Sequence, residues 1–376
     1  MKRDDVLPPD SEEKLSLGIF ERLKRATIIE VVYPRERGTI GLRGSASPLS
    51  WTETTPPTAS LGDRSVFEIP IAEGEMVDIK IVRGNDWAHG RNYTLHAGDH
   101  LHLRPAFDRT TCRLMPPVVL PTSPWPLRYQ VLLPPSYDEQ SARHYPVLYA
   151  QDGQALWSSS SDPFGIWALD TVMNQLLEIA VMSELIVVGI DTSEARMDRL
   201  GPVHDRTYGG GRAGEHLQII TDVLKPRIDA ELRTRVGRED TAVIGSSLGG
   251  LFSFYAAWNR PEVFGKAICL SSSFWWANRY MIREANVAPV PRPTIYLDSG
   301  AGLHPDAPSQ DGFQHTRSMQ RALVRAGYTN GEDLHRLAFP GQVHSTAAWS
   351  ARVAIPLQLL FPPPPLTQVP ARSIAP

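Results

Sequence analysis

Thr241-Ala-Val-Ile-Gly-Ser-Ser-Leu-Gly-Gly250 is the stretch on which the fold turns. The apolar run Ala242-Val-Ile244 stops at Gly245, and from Leu248 to Trp258 apolar and aromatic residues take helical spacing, so the order is strand, sharp turn, helix. Ser247 lies between the glycines of Gly245-Ser-Ser-Leu-Gly249, a G-x-S-x-G turn that holds a serine hydroxyl at the N-terminus of a helix. Such a turn strains the serine backbone, and the flanking glycines let strand and helix approach closely. At average glycine and serine usage the bare pattern turns up by chance in roughly one chain in ten of this length. Its place between a β run and a helix is what gives it weight.

On both sides of this turn the pattern alternates. Strands are expected at 129–133, 147–150, 185–190, 242–244, 267–270, 294–297 and 336–339, and helices at 166–179, 215–231, 248–258 and 315–326. Strands alternating with helices imply β-α units around a mainly parallel sheet, an α/β domain. Further upstream the texture changes to short β segments separated by turn residues, at 28–32, 39–43, 65–71, 76–81 and 100–103, which read as a small all-β sandwich. Between the two regions, Met115-Pro-Pro-Val-Val-Leu-Pro-Thr-Ser-Pro-Trp-Pro126 carries too much proline for a central strand and reads as a semi-rigid connector. The expected organisation is a charged segment over 1–26 with a short amphipathic helix near 15–25, a β-sandwich over 27–114, and a linker over 115–127. An α/β domain over 128–360 and a disordered tail over 361–376 follow.

Composition narrows the function classes. The chain has 376 residues, 42% hydrophobic and 21% charged, with a net charge of -3, so it carries no basic excess for a nucleic-acid partner. The opening Met1-Lys-Arg-Asp-Asp5 lacks the apolar core of a signal peptide, and no apolar run reaches membrane length, so a cytoplasmic location without a membrane partner is expected. The two cysteines, Cys112 and Cys269, lie in different regions and suggest neither a disulfide framework nor a zinc site. His89, His96, His100 and His102 cluster in a surface-rich β region without evident acidic or cysteine partners for a metal, so no metal is expected there. Trp51 and Trp87 are expected to pack in the sandwich core, with stacking on a sugar as the alternative.

A serine hydroxyl is a weak nucleophile and requires a base, which in turn requires a group that holds its tautomer. With a strand-turn-helix serine, the acid and then the histidine follow in the chain. His344 fits the base, in the loop Pro340-Gly-Gln-Val-His-Ser-Thr-Ala-Ala-Trp349 past the last expected strand; His335 opens a strand at the wrong end of the sheet and His315 opens a helix. For the acid, Asp311 before the helix near His315 is preferred, then Asp306 in the same loop. Asp298 ends a strand and is suited to ordering that loop through backbone hydrogen bonds. The N–H of Leu248, directly after the serine, and that of Gln154 in the turn Gln151-Asp-Gly-Gln154 are the expected donors to an oxyanion.

Taken together, Tyr145-Pro-Val-Leu-Tyr-Ala-Gln-Asp-Gly-Gln154, Val187-Val-Gly-Ile-Asp191 with Arg196, Gly245-Ser-Ser-Leu-Gly-Gly250, Ser271-Ser-Ser-Phe-Trp-Trp276 and Gly341-Gln-Val-His344 resemble the "Putative esterase" branch of the α/β-hydrolases, which holds esterase D and the enterochelin (ferric siderophore) esterases. The resemblance runs from about Arg128 to about Leu360. It implies Ser247 as nucleophile, His344 as base and the Asp152-Gly-Gln154 loop as oxyanion hole. A carboxylate beyond the strand ending Asp298-Ser-Gly300 is also implied, which favours a loop aspartate over Asp298. Asp152, Gly153, Arg196, Trp275 and Trp276 are the expected substrate contacts, and Thr207-Tyr-Gly-Gly-Gly-Arg212 the expected lid. Upstream, Leu42-Arg-Gly-Ser-Ala-Ser-Pro-Leu-Ser-Trp51 with Trp87-Ala-His-Gly-Arg-Asn92 and Gly98 is similar to the immunoglobulin-like modules in front of some esterases and starch-acting enzymes. One departure bears on substrate: in the loop after Asp191 only Arg196 and Arg199 supply positive charge, beside Glu194, which is no dense basic cluster for a triscatecholate. The expectation is a serine esterase acting through an acyl-enzyme on a small-molecule ester, a siderophore trilactone first, with no cofactor and no metal. A carbohydrate or general acyl esterase and an inactive binding protein are the alternatives; the oligomeric state is not legible.

Overall fold

A computed structural model describes residues 27–304 and 308–363, and the chain divides into two units. The expected helix near 15–25, the aspartate Asp306 and the tail beyond 363 lie outside the described residues.

Within the first unit, residues up to Thr110 form the strands β1 (Thr27–Val32), β2 (Ile40–Gly44), β3 (Ala59–Leu61), β4 (Arg64–Ile69), β5 (Met76–Arg83), β6 (Asp86–Trp87), β7 (Tyr93–His96) and β8 (His100–Leu103). One sheet has the order β3-β4-β1-β8, in which β1 runs antiparallel to β4 and parallel to β8; the other has β2-β5-β6 with β7 also on β5. Side-chain alternation turns Ile29, Val31 and Leu101 of the first sheet and Leu42, Ile79 and Leu95 of the second into one shared core. Each fully buried side chain of this size contributes about 1.5–3 kcal/mol, and a two-sheet sandwich results. The unit also takes in Asp138–Ala142, where buried Glu139 accepts hydrogen bonds from the Tyr33 hydroxyl and the Phe107 and Asp108 N–H groups.

Trp51 and Trp87 are not core residues. They are 37% and 43% exposed, and their rings lie 6.1 Å apart on the surface. Strand parity is the cause: Trp87 pairs with Val82, whose neighbour Ile81 faces the core, so Trp87 lies on the opposite face of the sheet.

The second unit holds a nine-stranded sheet. Its strands are β9 (Arg113–Leu114), β10 (Val118–Leu120), β11 (Leu127–Leu133), β12 (Val147–Gln151), β13 (Ile186–Ile190), β14 (Thr241–Ser246), β15 (Lys266–Leu270), β16 (Thr294–Ala301) and β17 (Leu334–Pro340). The order is β10-β11-β13-β12-β14-β15-β16-β17 with β9 also on β11. From β13 onward neighbours are parallel, whereas β9, β10 and β13 are antiparallel to β11. The sheet is therefore mixed and mostly parallel. The connector expected over 115–127 is a correction: Val118–Leu120 pairs with β11 as an edge strand, because Pro116, Pro117 and Pro121 flank these three residues without interrupting them.

Helices cover both faces. These are α1 (Leu169–Glu178), α2 (Arg196–Leu200), α3 (Ala213–Ile219), α4 (Lys225–Glu231), α5 (Leu248–Asn259), α6 (Trp276–Glu284), α7 (Phe313–Arg325), α8 (Thr346–Arg352) and α9 (Ala354–Leu360). A π-helical stretch, Ile220–Leu224, joins α3 to α4. Val243, Cys269 and Leu297 pack with α5 and α7 on one face, whereas Ala242, Ile244 and Leu270 pack with α1 and α9 on the other. Phe361, expected to begin a disordered tail, is 3% exposed in the second of these cores. No helix among the described residues is long and apolar enough to cross a membrane.

Candidate active site

At the junction of β14 and α5, Ser247 adopts φ 54°, ψ -120°, a backbone conformation that L-residues rarely hold. The glycines around it are required by space: a Cβ on Gly245 would lie 2.4 Å from the Gly249 backbone, and one on Gly250 would lie 2.4 Å from Ser272 Oγ. The turn therefore closes only without side chains there, and it carries the Ser247 hydroxyl to the C-terminal edge of the parallel strands, where ligands bind in open α/β sheets.

Two loops at the same edge supply partners. Beyond β17, His344 brings Nε2 to 2.9 Å from Ser247 Oγ. Between β16 and α7, Asp311 brings Oδ1 to 2.6 Å from His344 Nδ1. An ionised carboxylate only accepts, so the proton of the neutral imidazole sits on Nδ1, leaving Nε2 to accept from the serine hydroxyl. Such a chain can deprotonate the serine as it attacks a carbonyl carbon and can return the proton to a leaving group.

Four donors converge on the fully buried Asp311 side chain. Besides His344 they are Gly300 N–H at 2.6 Å, the Ser271 hydroxyl at 2.6 Å and the Arg352 guanidinium at 3.2 Å. Burial acts to raise the pKa of Asp311, but the hydrogen bonds from His344, Gly300 and Ser271 outweigh it and hold the carboxyl below its usual range. Asp298, also fully buried, has the opposite fate. Burial pushes it up to about 6 despite Arg352 at 3.1 Å and the Ser271 N–H. Among its hydrogen bonds is one from the Tyr296 hydroxyl, and none reaches His344. Of the two aspartates that the structure describes, Asp298 and Asp311, Asp311 is thus the one brought to the imidazole.

Leu248 is the first residue of α5, so its N–H has no intrahelical acceptor; the same holds for Gln154 in the 3-10 turn Gly153–Ala155 that follows β12. Asp152, at φ 58°, begins that turn. Its carboxylate is held by Arg196 through two bonds of 2.7 Å and by the Thr192 hydroxyl, and Arg196 keeps it below the usual carboxylate range against the opposing effect of burial. A Cβ on Gly249 would come 3.1 Å from Asp152 Oδ2, so this loop lies directly on the serine turn. A Cβ on Gly153 would come 2.7 Å from Gly189 backbone, so Gly153 serves close packing.

A cavity of about 340 Å³ opens beside Ser247 and His344, walled in part by Trp275, Ser273, Gln310 and His315. The expected substrate contacts Asp152, Gly153 and Arg196 are not among its lining residues: the charges of Asp152 and Arg196 are satisfied by each other. Trp276 is 2% exposed and donates its indole N–H to Val203, which makes it a core residue rather than a pocket wall. The expected lid is tethered, since Tyr208 packs on Trp275 and Trp276, and the Asp205 carboxylate accepts from the N–H groups of Thr207, Tyr208 and Ala277. Arg352 went unnoticed in the sequence, although an arginine in the apolar stretch after His344 signals a buried partner. Ser273, whose Oγ lies 3.3 Å from that of Ser247, had no local signal.

The sequence model of the family described as "Putative esterase" matches residues 121–355. The chain is 28% identical over 213 residues to the uncharacterized protein YbbA of Bacillus subtilis, covering 54% of this chain and 81% of that protein. It is 27% identical over 166 residues to the siderophore triacetylfusarinine C esterase of Aspergillus fumigatus, covering 43% of this chain and 53% of that protein, about half its length. In structure it resembles the enterobactin esterase FES from Shigella flexneri solved in the presence of enterobactin, with a TM-score of 0.53 at 14% identity over 89% of this chain and 92% of that one. At that identity the likeness is one of fold.

Proposed function

The chain belongs to the "Putative esterase" family and has its α/β-hydrolase-like fold, and from that premise we propose a serine esterase that cleaves carboxylic esters through an acyl-enzyme. The observation that carries this reading is the continuous contact from Ser247 Oγ through His344 to the buried Asp311. Ser247 Oγ attacks the ester carbonyl carbon while His344 Nε2 takes its proton. The negative charge on the carbonyl oxygen is received by the N–H groups of Leu248 and Gln154; in such sites one fixed donor is worth about 10²–10³ in rate. His344 then protonates the departing alkoxide, and the acyl group stays on Ser247 until a water, deprotonated by His344, releases it. Asp311 holds the Nδ1–H tautomer throughout and stabilises the imidazolium that forms twice.

For the substrate we propose a siderophore ester, a trilactone first, on the precedent of the siderophore esterase relative. Trp275, 38% exposed beside Ser247 and packed on Tyr208, suits a flat or branched acyl group. Among the described residues, lysine and arginine are absent from the cavity lining, a lining suited to a substrate without the dense negative charge of a triscatecholate anion. The test is kcat/KM on p-nitrophenyl acyl esters, a hydroxamate trilactone and a catecholate trilactone, with Ser247→Ala as blank. A trilactone leading the panel supports the siderophore reading. Turnover retained by Ser247→Ala would refute the serine mechanism.

A second reading, removal of acyl groups from a carbohydrate, draws on the exposed pair Trp51 and Trp87 in the first unit. It predicts that the full chain binds a feruloylated oligosaccharide and that Trp87→Ala weakens this binding at unchanged kcat on p-nitrophenyl acetate. Equal binding by the variant removes the reading.

A further inference from the structure

Two neighbouring strands of the first unit bring two imidazoles and a carboxylate together on the outer face of the β3-β4-β1-β8 sheet. In the parallel pairing of β1 with β8, Glu30 stands opposite His102, and His100 stands opposite Ile28. Because Ile29, Val31, Leu101 and Leu103 turn inward to the core, Glu30, His100 and His102 all point outward. His100 Nε2 lies 3.5 Å from Glu30 Oε1, and His102 Nδ1 lies 3.1 Å from Glu30 Oε2. The imidazole rings stack with centroids 4.9 Å apart, and one donor atom from each of the three residues falls within 4.8 Å of the others.

Zinc bound tetrahedrally at about 2.0–2.2 Å from nitrogen and oxygen ligands requires donor atoms about 3.3–3.5 Å apart. The two histidines approach different oxygens of the Glu30 carboxylate, and with one donor atom from each residue already within 4.8 Å of the others, small side-chain rotations bring one oxygen and two nitrogens to that edge length. Two histidines with one carboxylate also form a sufficient ligand set, leaving a fourth position for water. The His102 side chain is 53% exposed, so that position opens to solvent, while those of Glu30 and His100 are 15% and 17% exposed and held in place. We propose that Glu30, His100 and His102 form a binding site for a first-row divalent cation of the zinc type. Arg64 now contacts Glu30 at 2.6 Å. At 57% exposure it can turn into solvent at the small cost of a surface ion pair. Glu68, opposite Ile28 on the same face, adds negative charge beside the site. Sequence spacing alone concealed the carboxylate, which lies 70 positions before His100.

The test is zinc titration of the full chain by calorimetry, with the visible spectrum of the cobalt(II) form as a second readout. The wild type is expected to take up one zinc per chain at this site and to give a four- or five-coordinate cobalt spectrum. Glu30→Gln and His102→Asn, each checked for an unchanged circular dichroism spectrum, are each expected to weaken binding by at least the roughly 10–100-fold that loss of a mere outer-shell partner causes. His344→Asn is expected to retain the ion, which separates this site from the serine site. Absence of zinc uptake by the wild type, or equal uptake by Glu30→Gln and His102→Asn, would overturn the proposal.

Discussion

Replacing Asp311 by asparagine isolates the contribution of one carboxylate, and its size follows from the hydrogen bonds. Oδ1 takes His344 Nδ1, and Oδ2 takes Gly300 N–H, the Ser271 hydroxyl and Arg352. An asparagine can be placed in two ways. With its NH2 toward His344, it forces the proton of the neutral imidazole onto Nε2, which then cannot accept from Ser247; in a well-studied serine protease this change lowers kcat about 10⁴-fold, or about 5 kcal/mol of barrier. With its NH2 toward Gly300, Ser271 and Arg352, it sets a donor against donors in a dry site, at about 1–3 kcal/mol for each group left unsatisfied. The first placement wins because it leaves the carbonyl oxygen with three donors. The expected result is a fall in kcat of about 10³–10⁴ on p-nitrophenyl acetate with the fold intact by circular dichroism. Asp298→Asn is the control. Asp298 makes no contact with His344, and an asparagine oxygen in its place can still accept from the Ser271 N–H, so activity of the folded variant should stay within about tenfold of wild type. If folded Asp311→Asn retains more than a tenth of wild-type kcat, or folded Asp298→Asn falls as far, the assignment of the acid is wrong.

Gly153→Ala should lower kcat by about 10²–10³ with little change in KM, since a methyl there meets Gly189 backbone at 2.7 Å and displaces the turn carrying the Gln154 amide; unchanged kinetics would take Gln154 out of the oxyanion site. Trp275→Ala should raise KM for an aryl-acyl ester while leaving that for p-nitrophenyl acetate nearly unchanged, because only a large acyl group reaches the indole; equal effects on both esters would deny it a selective role. His216 bears on acid stability. Burial, aided by the charge of Arg199, lowers its pKa to about 3, so between pH 6.5 and pH 3 the unfolded chain binds a proton that the folded chain does not. Its contribution is therefore present above pH 6.5 and lost as pH falls, by about 2 kcal/mol at pH 5. In His216→Gln the urea midpoint should depend less on pH between 6.5 and 4, and an unaltered slope would contradict the buried neutral histidine.

What could be read from the chain alone is what depends on neighbours in sequence. The glycines at 245, 249 and 250, the apolar run before them and the helical spacing after them define a strand-turn-helix, because backbone sterics and side-chain period act over a few residues. His344 was legible for the same reason, in a loop just past a β run. The acid was legible only as an order of preference, Asp311 ahead of Asp306 and Asp298. The distinction arises when β16 and the loop before α7 fold back, giving His344 to Asp311 and the Tyr296 hydroxyl to Asp298, with Arg352 between them. Asp152 and Arg196 looked available to substrate until the ends of β12 and α2 met, and Trp87 looked like a core residue until strand pairing set its face. Glu30 joined His100 and His102 only through the register of β1 with β8. Sequence by itself determined the strand-turn-helix around Ser247 and where a nucleophile can stand. Only tertiary structure decided which charges meet, because that depends on strand register and loop closure between residues tens of positions apart, and local periodicity carries no record of either.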